Sequence, residues 1–474
     1  MKIMSIHETY YQTAILGAGG GGYPAAFAIA RSGASTLLID DKGNLGGHCL
    51  FEGCVPSKAI REGTSLAAFA HKPSKAGVSL TFKNPLRWKD VRDFKDGMQT
   101  RRYAQHMGDV QAAAHLTLVK GRGTIIDDHT LEMINYSTQE TTRVRFANLI
   151  VATGSHAKYL PIPGGANTLT SHDLFAWQEA LEELPKRLII IGAGYIGVEI
   201  AFMLAEFGVK ITMFEALDRI LPQMDEEISQ TLNGILRERA DVTVNAKVIR
   251  IEDVGVEKAV TVQTSDGEKT YKADAVLTAI GRGPNVGPEI GLANAGIHFD
   301  ARSGIFTDAF MRTNQPHIFA AGDVTTKSML FHAAARMSQV AAYNILYPDR
   351  TPDTFNPLEM PATVFSDPEA HTVGYTMAQA EANGMHVFEI RRPMGVEARA
   401  QILEETRGFF KMIVEKDTEK IVGVQAVGVD AAAISSISHI AVRQGLTIDD
   451  LSRMTFPHPT QFEIFDRIAR KYIH

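Results

Sequence analysis

Cysteine is almost missing from this sequence, with two among 474 residues. That scarcity excludes a disulfide-stapled scaffold and a thiolate-rich structural metal site. The 16 histidines form no H-E-x-x-H pattern and the cysteines no paired C-x-x-C, so no metal is expected. Basic charge is not in excess either. Against 48 Lys and Arg stand 54 Asp and Glu, and a net charge of -6 gives no footprint for nucleic acid. An unbroken apolar run is also lacking. The most apolar stretch, Leu188 to Leu204, is interrupted by Gly192, Gly194, Gly197 and Glu199, so it reads as strand, turn and helix and no membrane association is expected. No basic segment leading into an apolar core opens the chain, so export is not expected and a cytosolic location is.

What cysteine there is lies in one segment, Gly46-Gly47-His48-Cys49-Leu50-Phe51-Glu52-Gly53-Cys54-Val55-Pro56-Ser57-Lys58. In a reducing compartment a persistent structural disulfide is disfavoured, whereas a cycling catalytic pair is at home. Two unrelated buried thiols would need chance to place the only cysteines side by side next to a glycine-rich unit.

That unit reads Thr13-Ala14-Ile15-Leu16-Gly17-Ala18-Gly19-Gly20-Gly21-Gly22, then an apolar helix to Gly33, then Thr36 to Asp40. Strand, G-x-G-x-x-G, helix, strand and acid is the dinucleotide-binding order. The glycines make the tight turn, admit a pyrophosphate to the backbone and let helix pack on strand. The helix N-terminus offers N–H groups and a positive dipole to phosphates, and Asp40 can bind a ribose hydroxyl. A second unit, Arg187 to Glu199, carries Gly192, Gly194 and Gly197, with Lys210 to Glu215 as its second strand. Gly17 and Gly192 are 175 positions apart, and so are Asp40 and Glu215. One such motif is weak evidence, but two with acids at the same distance indicate two dinucleotide sites. Glu215 would accept from a free ribose diol and repel a 2′-phosphate, which favours NAD over NADP.

Length alone calls for about three domains. Residues 60 to 115 read as helical, interrupted at Pro73 and Pro85. Leu116 to Met133 reads as short strands around Gly121 and Gly123. Buried strands end in turns at Asn148 to Gly154, Asp274 to Gly281 and Thr313 to Asp323, and a helix from about His332 to Leu346 follows. Pro348 to Pro361 reads as a linker, and from Ala362 strands and helices alternate in a separate C-terminal domain.

Taken together these motifs resemble the FAD-dependent pyridine nucleotide–disulfide oxidoreductases. The likeness runs in family order through Gly17 to Gly22, the G-G-x-C-x-x-x-x-C-x-P-S-K run, Ala152-Thr153-Gly154, Gly192 to Glu199, Ala321-Gly322-Asp323, and His458-Pro459-Thr460 with Glu463. It implies an α/β fold with two Rossmann-like dinucleotide-binding domains and a C-terminal α+β dimerisation domain. The FAD domain would be residues 1–155 and 282–350, split around an NAD domain at 156–281, with the interface domain at 356–474. FAD would contact Gly17, Gly19, Gly22, Asp40, Lys58, Gly123, Thr153, Gly154, Ser155, Asp323, Met329, Leu330, Phe331 and His332. NAD would contact Gly192, Gly194, Tyr195, Gly197, Glu199, Glu215 and Gly281.

The resemblance also implies roles. Cys54 would face the flavin as the charge-transfer thiolate, and Cys49 would be the interchange thiol that meets a small dithiol or disulfide substrate. Lys58 would pair with Glu199 near the flavin. His458, held by Glu463, would be the base for a substrate thiol. In the family this dyad comes from the partner subunit, so the active site would be shared across a homodimer. Thr460 to Glu463 is equally a T-x-x-E capping box for the last helix, and His458-Pro459 is a candidate cis peptide. Among family members the dihydrolipoamide dehydrogenases fit best, with lipoamide on a multienzyme complex as one possible substrate. Reductases of other small disulfides and mercuric reductases are the alternatives. The chain has no C-terminal cysteine pair of the kind a mercuric reductase would want. A flavin-binding structural subunit or a transhydrogenase would leave both cysteines without a purpose. The sequence departs from the family at His48, at Phe51-Glu52 and at Phe456-Pro457, where lipoamide dehydrogenases usually carry His-Ala. A carboxylate at Glu52 would raise a nearby thiol pKa and shift substrate preference; the alternative is that Glu52 and His48 are simply tolerated variation.

Overall fold

Apolar residues before each glycine-rich turn become the central strands of two parallel sheets. The computed structural model describes residues 7–71 and 86–473. In the first sheet β1 (His7–Leu16) runs into the turn at Gly17, and α1 (Tyr23–Arg31) follows. Pro24 sits in the first turn of α1, where backbone N–H groups have no intrahelical acceptor to lose. β2 (Thr36–Asp40) returns parallel to β1 and is buried along its whole length, as a strand covered on both faces must be.

Three helices come next: α2 (Gly47–Phe51), α3 (Cys54–His71) and α4 (Trp88–Ala112). The helical reading of 60–115 is therefore two helices, while the interruptions at Pro73 and Pro85 lie outside the described residues. α4 buries two polar residues one turn apart. Lys95 Nζ donates to the carbonyls of Ala176 at 2.9 Å and Phe175 at 3.3 Å, and Gln99 Nε2 donates to those of Leu50 and Phe51, both at 2.9 Å. A five-residue helix such as α2 cannot satisfy its own last carbonyls, so α4 does it from outside.

β3 (Leu116–Asp127), β4 (Thr130–Asn135) and β5 (Thr141–Val151) complete most of this sheet. Their length was underestimated by the reading of short strands around Gly121 and Gly123. In β3, residues 116–120 pair in parallel with β2 and residues 121–127 pair antiparallel with β4. β6 (Ser155–Ala157) and α5 (Ser171–Phe175) lead to the second sheet.

There β7 (Arg187–Ile191), α6 (Tyr195–Ala205), β8 (Lys210–Phe214), α7 (Glu226–Leu236) and β9 (Ala240–Thr243) repeat the alternation. β10 (Lys247–Val254), β11 (Glu257–Thr264) and β12 (Gly267–Ala273) form an antiparallel flap, and β13 (Ala275–Thr278) completes the parallel order β13-β7-β8-β9. The chain then crosses back. β14 (Arg282–Pro284) pairs with β6, β15 (Phe299–Asp300) pairs with β16 (Gly304–Ile305), and β17 (Ile318–Ala320) joins the first sheet beside β5. α8 (Phe331–Leu346) covers it.

The C-terminal part is a five-stranded antiparallel sheet. β18 (Ala362–Val364), β19 (Glu369–Gly374), β20 (Val387–Pro393), β21 (Phe409–Glu415) and β22 (Ile421–Gly428) lie in the order β18-β19-β22-β21-β20. Between and after the strands come α9 (Met377–Ala382), α10 (Ala398–Ile402), α11 (Ala431–Gln444), α12 (Ile448–Ser452) and α13 (Ile464–Ile473). The core of this part joins Phe410 to Phe465, edge to face at 4.9 Å between centroids. Among the described residues no helix is long and apolar enough to cross a membrane.

Candidate active site

Both glycine-rich turns are built to the same plan. Gly17, at φ +100°, could not carry a side chain, because its Cβ would lie 2.2 Å from the carbonyl oxygen of Ala152. A Cβ on Gly22 would lie 1.8 Å from the carbonyl of Gly17. In the second unit Gly192, at φ +98°, meets Ala279 in the same way at 2.5 Å, and Gly197 meets Gly192 at 2.1 Å. Both turns are thus pressed against the end of a neighbouring parallel strand, with α1 and α6 aimed at the opening. The acids close each cradle. Asp40 Oδ2 accepts the Ala18 N–H at 2.8 Å, and Glu215 Oε2 accepts the Ala193 N–H at 2.7 Å. Burial raises the Asp40 pKa, an effect its backbone N–H partners only partly offset.

One cavity of about 2640 Å³ runs through both cradles and past the cysteines. Its walls include Gly17, Gly19, Asp40, Gly123, Thr153, Gly154, Asp323 and the run from Met329 to His332 on the first side. Gly192, Gly194, Tyr195, Glu199, Glu215 and Gly281 line the second, with Cys49, Cys54 and Lys58 between them. Gly22, Gly197 and Ser155 stand behind the wall. The two glycines serve strand–helix packing. Ser155 is wholly buried and donates its hydroxyl to Asp323 Oδ2 at 2.6 Å. A glycine-lined turn at a helix N-terminus, an acid at the next strand end and a long wall between fit an extended dinucleotide such as FAD in the first cradle.

Cys49 on α2 and Cys54 at the start of α3 are free thiols joined by a side-chain hydrogen bond. That bond favours the thiolate of Cys54, whose pKa falls to about 7 with help from the Lys58 ammonium and against the effect of burial. Cys49, as donor and with its sulfur buried, is pushed up. Lys58 Nζ lies 2.6 Å from Glu199 Oε2 on α6 and 4.2 Å from the centre of the Phe365 ring, while Glu199 Oε1 accepts the Phe365 N–H at 2.9 Å. This contact ties the first unit, the second unit and the C-terminal part together at the cavity.

His458 and Glu463 are apart from the cavity within one chain. His458 Nδ1 lies 3.0 Å from both Glu463 oxygens, and Glu463 Oε2 also accepts the Thr460 N–H at 3.1 Å. One carboxylate therefore serves both the helix cap and the dyad. With Nδ1 donating to a carboxylate, Nε2 is left as the open acceptor on a ring 64% exposed. Arg467 Nη2 adds a 2.6 Å bond to Glu463, and together these donors outweigh burial and keep its pKa low. The His458-Pro459 bond is cis.

Glu52 is not a lone carboxylate beside a thiol. His48 Nδ1 and His172 Nδ1 press on its two oxygens, and against burial they hold its pKa down to about 2. Sequence reading missed His172, which lies on α5, and Arg282, whose Nε donates to the Ser155 hydroxyl and Nη2 to its carbonyl, both at 2.8 Å. The only signal for Arg282 was its place after the Gly281 turn.

Two nucleotide cradles converging on a hydrogen-bonded thiol pair define a dinucleotide-dependent disulfide oxidoreductase. Residues 11–338 match the family model described as pyridine nucleotide-disulphide oxidoreductase, residues 360–469 match that family's dimerisation domain, and the chain belongs to this family. Among its relatives, dihydrolipoyl dehydrogenase of Bacillus subtilis (strain 168) is 33% identical, over 95% of this chain and 94% of the relative. Dihydrolipoyl dehydrogenase of Mycobacterium bovis is 34% identical, over 96% of each. The structure of the HOCl-induced flavoprotein disulfide reductase RclA from Escherichia coli superimposes with a TM-score of 0.82 at 26% identity, over 97% of this chain and 99% of that one. The protein is accordingly an FAD-dependent, NAD-linked disulfide oxidoreductase.

Proposed function

We propose that this enzyme is a dihydrolipoamide dehydrogenase, working as a cytoplasmic homodimer. The observation that carries this reading is the Cys49–Cys54 pair, set in one cavity between the cradle of Asp40 and that of Glu215. In this reading residues 1–155 and 282–350 hold FAD, residues 156–281 hold NAD and residues 356–474 form the dimer interface. Glu215, already accepting two backbone N–H groups, would take a ribose hydroxyl but not a 2′-phosphate.

FAD, when bound, supplies the exchange of an electron pair with a thiolate on one side and of a hydride with nicotinamide on the other. This chain's own residues do the rest. The partner's His458 takes a proton at Nε2 from a dihydrolipoamide thiol, whose unperturbed pKa is about 8.5. Glu463 stabilises the imidazolium that results. The substrate thiolate attacks Cys49 of the oxidised pair, the Cys49–Cys54 bond breaks, and Cys54 leaves as thiolate. The second substrate thiol then attacks the mixed disulfide, releases lipoamide and leaves Cys49 as a thiol. Cys54, with its depressed pKa, is the better leaving group and the better resting anion, and Lys58 supports it.

The test is an anaerobic titration of the oxidised holoenzyme with dihydrolipoamide, read in the visible spectrum. A long-wavelength thiolate band that NAD discharges is the expected result. A band with NADH but none with dihydrolipoamide would keep the disulfide chemistry and reject lipoamide, pointing to a reductase of another small disulfide.

A further inference from the structure

The chemistry of the cavity leaves one group of ligating side chains unused. Asp128 and His129 form the two-residue turn between β3 and β4, and His317 stands just before β17, 189 positions after Asp128. A nitrogen of each imidazole and a carboxylate oxygen of Asp128 all lie within 4.8 Å of one another. The three meet only after β3, β4 and β5 are laid side by side and β17 is added next to β5. For that reason the spacing of histidines and cysteines along the chain predicts no metal.

Both rings are held as a ligating histidine is held. His129 Nδ1 lies 3.1 Å from the Phe146 carbonyl oxygen, and His317 Nε2 lies 2.7 Å from that of Asp128. A carbonyl oxygen only accepts, so each of these nitrogens is the donor. The nitrogens left for an ion are Nε2 of His129 and Nδ1 of His317. Bonding the other ring nitrogen to a backbone carbonyl orients the ring and makes the ligating nitrogen more basic. The rings also stack on each other, with centroids 4.1 Å apart and planes 10° from parallel. Of the two adjacent acids, Asp127 is already engaged, because its Oδ1 accepts the His129 N–H at 2.9 Å and shapes the turn. The Asp128 carboxylate has no hydrogen bond or ion pair among the described residues. Tying the turn to the strand uses one nitrogen of each ring. It does not call for a bare carboxylate beside them.

We propose that Asp128, His129 and His317 bind one divalent transition-metal ion, for which Zn²⁺ is the best match. Two imidazoles and a carboxylate suit an ion of borderline softness, whereas Ca²⁺ and Mg²⁺ take oxygen ligands. The ligands of a tetrahedral ion stand about 3.3 Å apart. Small torsions of the three side chains reach that spacing, since Asp128 and His129 are on an exposed turn. The remaining positions are open to water. A bound ion ties the β3–β4 turn to the start of β17, the strand that runs on to Asp323 in the cavity wall. The site takes no part in thiol exchange, and it does not depend on which disulfide the enzyme uses.

Calorimetric titration of the oxidised holoenzyme with Zn²⁺ tests this. In that form Cys49 and Cys54 are closed as a disulfide and offer the ion no thiolate. Wild-type protein should bind one Zn²⁺ per chain and release it to a chelator. His129→Asn, His317→Asn and Asp128→Ala should each weaken binding at least about tenfold, since losing even a group that only supports a ligand costs that much. His172→Gln, which removes an imidazole from the histidines around Glu52, should leave the affinity unchanged. The flavin content of each variant reports that it has folded. Asp128→Ala removes neither ring nor carbonyl, so it decides alone should a histidine variant fail to fold. Absence of binding in the wild type, binding as tight in Asp128→Ala as in the wild type, or binding lost in His172→Gln instead overturns the proposal. The titration uses no thiol substrate, so its outcome is separate from that of the dihydrolipoamide experiment.

Discussion

The two nucleotide units are near copies in their turns and unlike in everything around them. In both, the first glycine of the turn meets a strand-end carbonyl, Ala152 for Gly17 and Ala279 for Gly192, and the acid at the end of the next strand bonds back to the turn. After Asp40, however, the chain runs into the thiol segment, and β17 returns from far along the sequence to wall the cavity with Asp323. After Glu215 it runs to Pro222 and α7, and the sheet ends with β13 beside β7. A glycine-rich turn thus defines a cradle for a dinucleotide, while the chemistry done there depends on what is brought to its open side. The first unit acquires the thiols and a wall beside β17, and the second ends its sheet with β13 beside β7.

The strongest way to break this comparison is to place a methyl group in each turn. Gly22→Ala and Gly197→Ala would each drive a Cβ to within 1.8 and 2.1 Å of a backbone oxygen. Each should cost more than about 4 kcal/mol locally. The readouts should differ: Gly22→Ala protein loses flavin and folds poorly, whereas Gly197→Ala keeps flavin and dihydrolipoamide-reducible thiols but loses turnover with NAD. Equal loss of flavin in both would deny the units their separate roles. Next in size is Lys58→Gln. Without the ammonium the Cys54 pKa rises from about 7 toward its ordinary value, so at pH 7 the thiolate band of reduced enzyme should fall up to about tenfold and return at alkaline pH. A band of unchanged height at pH 7 would show that Lys58 is not the cation that matters.

Glu215→Ala should raise the KM for NAD by roughly tenfold and narrow its advantage over NADP, with flavin content untouched. Parallel loss of flavin would mean that the second cradle is not independent. The smallest effect is expected from Glu199→Gln. Glu199 raises the Cys54 pKa slightly, so its neutralisation should move the onset of the thiolate band to lower pH, opposite in sign to Lys58→Gln. A shift in the same direction would mean that Glu199 acts chiefly by steering Lys58.

Local sequence determined the strand–turn–helix units, their acids and the thiol segment, because each is set by residues within one or two turns of chain. Glycine is needed where a Cβ has no room, and a run of buried apolar residues needs a sheet around it. Residue-by-residue reading also found the Thr460–Glu463 cap, and the family resemblance supplied the His458–Glu463 pair; both depend on short spacings. Set against each other, the two readings favoured different roles for Glu463, since sequence does not show how many hydrogen bonds one carboxylate accepts. Tertiary structure alone decided the rest. Lys95 and Gln99 look like surface residues of a polar helix until the end of α5 presents carbonyls to the first and the end of α2 presents them to the second. Glu52 reads from sequence either as an anion near a thiol or as tolerated variation, until α5 brings His172 to it. Both cases share a physical reason. The energy of a buried polar group depends on partners from distant segments, and only the folded chain sets those distances.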